Sequence, residues 1–251
     1  MEKNKVLEEL LNGKEISSFS KNWIENSNTN EEKIRQAYLI LNRIGVSDKE
    51  IVSQAQLLGK DPETIERNHK RLRELGISNE KIATNANLLG MSLETMERNY
   101  QYLRNVGLKD SKIVSRAELL GMSSDTIERN YKYSVGLLRQ NPENRNSGRD
   151  LLMMQAQLLG NSPKTINANV QYLSSLGIDY NNGLLLGTTP KQKRRKMAWL
   201  LREIFDYRNS EYKKETIHRM RKFVRENPIY LIKSITTLER YRDKIKEKAG
   251  K

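Results

Sequence analysis

The sequence predicts an all-α fold: a helical-repeat solenoid of 31-residue, two-helix units, followed by a basic helical end piece. Three observations predict it. A twelve-residue phrase recurs as "LLGKDPETIERN" from Leu57, "LLGMSLETMERN" from Leu88, "LLGMSSDTIERN" from Leu119 and, more loosely, "LLGNSPKTINAN" from Leu158. Glycines fall at two phases of the same period, with Gly59, Gly90 and Gly121 at one and Gly45, Gly76 and Gly107 at the other. No stretch alternates apolar and polar residues as a half-buried strand would.

Residues 1–30 are expected to form an N-terminal helical cap. Their opening, "MEKNKVLEELLNGKE", mixes acids and bases around a short amphipathic stretch, unlike a signal or transit peptide. Residues 31–187 form the solenoid. Each glycine ends a periodic apolar stretch, where a helix calls for a left-handed C′ residue. Asp61, Ser92, Ser123 and Ser162 read as N-caps of the longer helices, with Pro62 and Pro163 at the first helical position. Ser47 and Ser78 cap the shorter ones. A helix pair of this size cannot bury its apolar face alone, so repeated copies share one core.

The register breaks twice. Between Gly121 and Gly160 the excess residues fall in "RQNPENRNSGRD", expected as a polar loop. Between Gly177 and Gly187 the spacing shrinks, which shortens or removes a short helix. Residues 188–251 form the basic helical C-terminal domain. Its first helix is capped by Thr189 with Pro190 at N1, and two more lie near 211–226 and 228–247, separated by "ENP".

The 251-residue chain contains no cysteine, which removes disulfides and thiolate chemistry and makes a reducing, cytoplasmic setting the expectation, with nucleoid or nucleus as alternatives. No apolar run approaches the roughly 20 residues of a spanning helix, so no membrane partner is expected. The net charge is +14, and it is uneven. Residues 1–187 hold 25 Lys+Arg against 23 Asp+Glu, whereas residues 188–251 hold 20 against 8. A basic domain on a near-neutral body is the pattern of a polyanion-binding surface. A lysine-rich solubilising surface is the alternative.

Candidate nucleic-acid contacts concentrate in "PKQKRRK", where Lys191, Lys193, Arg194, Arg195 and Lys196 crowd the first turns of a helix. The macrodipole disfavours cations there, and a bound phosphate would relieve both the dipole and the self-repulsion. Arg202, and then Arg219, Arg221 and Lys222 in "HRMRKFVR", extend the cluster. On the repeats, Arg67 and Arg71 point outward, with equivalents Arg98 and Tyr102, Arg129 and Tyr133, and Ala168 and Tyr172. Such pairs either stack on each other or line a phosphate track, beside acids at Glu66, Glu97 and Glu128.

Asn68 recurs as Asn99, Asn130 and Asn169 at the border of an apolar face and is expected to bond the backbone of the adjoining turn. The pairs Gln54 and Gln56, Asn85 and Asn87, Arg116 and Glu118, and Gln155 and Gln157 read as solvated positions. Members two apart on a helix cannot face one ligand. His69 takes the slot of Tyr100 and Tyr131, a packing position, and His218 lies among arginines. With no glycine-rich phosphate loop or metal-ligand pattern, no enzyme, cofactor, catalytic residue or metal ligand is expected.

The 31-residue helix pair with "LRELGIS", "LRNVGLK" and "LSSLGID" at one turn resembles the mitochondrial transcription termination factor family. "RENPIYLIKSITTLERYRDKI" is similar to that family's unit near Pro228 and Leu231. The internal units lack its regular proline. The resemblance implies a superhelix, a nucleic-acid partner (DNA or RNA) and a role in regulating or terminating transcription. A helical-repeat scaffold for a protein partner is the alternative, and a monomer is expected in either case.

Overall fold

The computed structural model describes residues 2–140, 156–178, 183–207 and 213–250. Among them are fourteen α-helices and no strand. No described helix is long and apolar enough to cross a membrane. The chain divides into two compact units, Met1–Ile127 and Glu128–Lys251. That division falls inside the expected repeat segment and sorts the charge completely. The first unit holds 19 Lys+Arg and 19 Asp+Glu, the second 26 and 12, so the second carries all of the +14.

In the first unit, α1 (Glu2–Leu10), α2 (Ser18–Glu25) and α3 (Glu31–Ile44) lead into alternating short and long helices. These are α4 (Asp48–Ser53), α5 (Pro62–Glu74), α6 (Asn79–Thr84), α7 (Leu93–Asn105) and α8 (Asp110–Ser115). The helix α9 (Ser124–Gln140) spans the division. Each expected short helix is in fact two pieces. It breaks at Gln54, Asn85 or Arg116 and continues as a tight 3-10 turn over residues 55–59, 86–90 or 117–121. The first turn packs against α3 and against the next turn, so Leu57 and Leu58 both bury.

Caps largely follow the expectation: Ser47, Ser78, Ser92 and Ser162 each accept a bond from the amide three residues on. Asp61 makes no such bond and instead accepts from the Lys33 ammonium at 3.0 Å. The glycines need a correction. Gly45, with φ +99°, and its equivalents Gly76 and Gly107 are left-handed, as a helix C′ requires. Gly59, Gly90 and Gly121 are not. They are small because the turns touch: a Cβ on Gly90 would stand 2.6 Å from Leu57 Cδ2, and one on Gly121 2.9 Å from Leu88 Cδ2.

The recurring asparagine joins long helix to turn. Asn68 is fully buried, and its amide donates to the carbonyls of Leu89 at 2.9 Å and Met91 at 2.8 Å. Asn99 repeats this with Leu120 at 2.9 Å and Met122 at 2.6 Å. These bonds satisfy turn carbonyls that would each cost about 1–3 kcal/mol if left orphaned in the core. The backbone-bonding role expected for this residue is what the structure shows. His69 is likewise structural: it bonds Asn79 at 3.0 Å, as Tyr38 bonds Asp48 at 3.0 Å and Tyr100 bonds Asp110 at 2.8 Å.

The second unit continues with α10 (Pro163–Ser175), α11 (Pro190–Glu203), α12 (Lys213–Glu226), α13 (Ile235–Arg240) and α14 (Arg242–Lys248). Turns at 156–160, 183–187 and 228–231 complete it. Asn130 and Asn169 donate to Leu159 at 2.8 Å and Leu186 at 3.0 Å, extending the same bond. The helix expected near 228–247 is interrupted, because Ser234 caps a new helix and Tyr241 ends it. Residues 141–150 of the expected polar loop lie outside the described residues; Arg139 and Gln140 end α9.

Candidate nucleic-acid interface

Pro190 begins α11 as Pro62, Leu93, Ser124 and Pro163 begin the earlier long helices. Counting from these starts shows what α11 does with its lysines. The fourth position holds Ile65, Met96, Ile127 and Ile166, all fully buried, and then Lys193, also fully buried. Its ammonium donates to Asn169 Oδ1 at 2.5 Å and to the Thr188 carbonyl. The seventh position holds the asparagines, and then Lys196. Lys196 donates to the Leu231 and Ile232 carbonyls at 2.9 and 3.0 Å, just as an asparagine serves the turn of the following unit.

Lys193 and Lys196 are therefore interior residues, a correction to their placement among surface phosphate contacts. Burial pushes the Lys193 ammonium down to about 7, with the charge of Lys196 as the lesser cause. Lys196 is lowered by burial as well.

A second pair of slots sets the electrostatics. The tenth residue of one long helix meets the fifth residue of the next. In the first unit these are Arg71 and Glu97, a two-point ion pair that includes Nη2 to Oε2 at 3.0 Å. In the second unit they are first Tyr133 and Asn167, joined by a hydrogen bond, and then Tyr172 and Arg194. The Arg194 guanidinium lies over the Tyr172 ring, 5.4 Å from its centroid. Burial raises the Tyr172 hydroxyl pKa, and the charges of Arg194 and Arg221 pull it back. Arg225 lies against Gly177, the glycine that closes α10, within 3.2 Å of where a Cβ would stand. Helices α10, α11 and α12 thus bring Tyr172, Arg194, Arg221 and Arg225 into one neighbourhood.

Pairing separates the two units. Seven of the first unit's nineteen cations are in ion pairs: Lys14 with Asp48, Lys33 with Asp61, Arg35 with Glu9, Arg43 with Glu66, Arg71 with Glu97, Arg104 with Asp110 and Arg116 with Glu118. The second unit's ion pairs among the described residues are Lys132–Glu128, Arg202–Glu203 and Arg242–Glu203. Lys191, Arg194, Arg195, Arg219, Arg221, Lys222 and Arg225 are exposed and have no ion-pair partner among the described residues. Cations without a counter-charge leave a positive potential that a polyanion can neutralise.

Of the other expected contacts, Arg202 is held by Glu203, and Arg98 Nε donates to Ser124 Oγ at 3.1 Å. Arg67 is exposed and reaches Thr64 at 3.4 Å, Tyr102 is half-buried, and Arg129 is exposed. Tyr133 is occupied by Asn167. The two arms of the expected track therefore differ: the α11–α12 cluster gathers, whereas Arg67 and Arg98 sit on the hydroxyls of Thr64 and Ser124 in a unit of no net charge. Arg225 was not among the expected contacts, and Tyr172 entered only as the last member of the outward stripe, paired with Ala168. Aligning α11 on Pro190 gives Tyr172 its partner, because it sets Arg194 in the slot that faces it. Nothing in the sequence marks Arg225.

The chain matches no protein-family model, and no curated protein matches it.

Proposed function

We propose that the chain is a nucleic-acid-binding helical-repeat protein whose recurring helix pairs stack as a solenoid. Its binding face is the α11–α12 surface of the second unit. Arg194, Arg195, Arg221, Lys222 and Arg225 contact phosphates, with Lys191, Arg219 and Arg129 at the margins. The observation that carries this reading is the exposed, unpaired arginine cluster around Tyr172, in a unit that holds the whole net charge while the other is neutral. The 31-residue recurrence of helix starts and the repeated asparagine bonds support the solenoid. The likeness to transcription termination factors adds regulation or termination of transcription as the role.

Binding of the full chain to a mixed-sequence DNA duplex and to an RNA hairpin, followed by fluorescence anisotropy across a salt series, tests it. The expected result is log affinity falling linearly with log salt, by about 0.7–0.9 for each phosphate neutralised. Absence of binding to every form at low salt would overturn it.

A further inference from the structure

A row of aromatic rings crosses the C-terminal end of the second unit. Phe205 meets Phe223 edge-on, with centroids 5.6 Å apart, and Phe223 stacks on Tyr230 at 5.4 Å with only 8° between the ring planes. Phe205 and Phe223 are buried, so they hold the Tyr230 ring in place. Tyr230 lines a cleft between the 228–231 turn and helices α13 and α14, together with Leu238, Tyr241, Ile245, Lys233 and Lys244. Tyr241 is 46% exposed, which is high for so large a ring. The Lys244 ammonium stands 5.9 Å from its centroid. Among the described residues, no carboxylate lines the cleft.

We propose that this cleft is a stacking site for an unpaired base of single-stranded nucleic acid, packed on Tyr230 and Tyr241, with the flanking phosphates at Lys233 and Lys244. The proposal rests on the nucleic-acid reading above and narrows it to a strand form. The cleft offers flat carbon surface ringed by ammonium groups, and a nucleotide is a flat ring carrying an anion. A duplex base is already covered on both faces by its neighbours, so only an unpaired one can present a face to tyrosine. The ring supported by Phe223 is ordered before the ligand arrives, which lowers the cost of binding.

The test uses the full chain and three probes: a labelled oligothymidylate, the same strand with abasic sites, and a duplex. The parent protein is expected to bind the thymidylate about tenfold more tightly than the abasic strand, an increment of the size that one stacked base supplies. Tyr241→Ala should erase that difference, Tyr241→Phe should keep it, and duplex binding should be unchanged in both. Because Tyr241 is exposed, neither variant threatens the core. A parent that binds both strands equally, or a Tyr241→Ala variant that still discriminates, overturns the stacking site while leaving the phosphate-binding face intact. Tyr241-dependent binding of an acidic aromatic peptide by a parent that does not discriminate the two strands would overturn it in favour of a protein partner. A parent that binds no probe overturns both proposals.

Discussion

Arg194 lies over the ring of Tyr172 in the same two helix positions that Arg71 and Glu97 occupy as an ion pair. The contact is kept and its charge is changed. An ion pair cancels its own field, whereas a cation on an aromatic face gains about 0.5–2 kcal/mol of attraction and stays positive. The substitution of partners converts a structural contact into a source of potential.

Arg194→Gln and Arg221→Gln should therefore each reduce the salt slope of nucleic-acid binding by about 0.7–0.9, the increment of one phosphate. Arg71→Gln and Arg98→Gln, in the neutral unit, should leave it unchanged. The double variant Tyr172→Arg, Arg194→Glu rebuilds the first-unit pair and should fold while binding more weakly. Anisotropy titrations at several salt concentrations check all of these.

Lys193 should leave a mark on stability rather than on binding. Its folded-state pKa is depressed to about 7 from 10.5, so between those values the unfolded chain binds more protons than the folded one. Stability should rise with pH across that window, by up to about 1.4 kcal/mol per unit for this lysine, and be flat below it. Lys196 is shifted in the same direction and adds to the slope. Lys193→Met should flatten the profile and leave nucleic-acid affinity unaltered. Urea unfolding at a series of pH values reads this directly.

The asparagine bonds predict a graded loss. Asn68→Ala should orphan the Leu89 and Met91 carbonyls at about 1–3 kcal/mol each. Asn99→Ala should cost about 0.5–1.5 kcal/mol more, because Asn99 Oδ1 also accepts from Ser124 Oγ at 2.8 Å, whereas Asn68 Oδ1 has no partner. Denaturant midpoints at constant m-value measure the difference.

The two glycine classes should respond differently to asparagine, which tolerates the left-handed region. Gly76→Asn, at φ +85° with only Val114 Cγ2 in ordinary contact at 3.9 Å from a Cβ, should cost about 1 kcal/mol or less. Gly121→Asn should cost about 1–3 kcal/mol, because Leu88 must move to admit any side chain. Paired thermal melts separate the cases.

Much of this was legible in the chain. The caps, the long-helix starts and the bonding role of Asn68 follow from local chemistry that repeats. The missed features are those where one residue type has two physical uses. Glycine serves both a left-handed turn and a close contact between turns, and only the neighbouring Leu57 or Leu88 tells which. Lysine serves both surface and core, and "PKQKRRK" taken as a charge run hides the fact that Lys193 stands in an isoleucine slot. The exposed arginines were visible as composition, but their lack of partners depends on where acids from other helices lie.

In the bonds from the recurring asparagines and from Lys196, the donor comes earlier in the chain than its acceptor. Asn68 supports a turn 21 residues downstream, and Lys196 one 35 residues downstream. A nascent chain leaving the ribosome therefore presents each new turn to a helix that has already been made. No turn in either series has to wait for a partner that is still untranslated. Growth can add one supported turn at a time, in the order of translation.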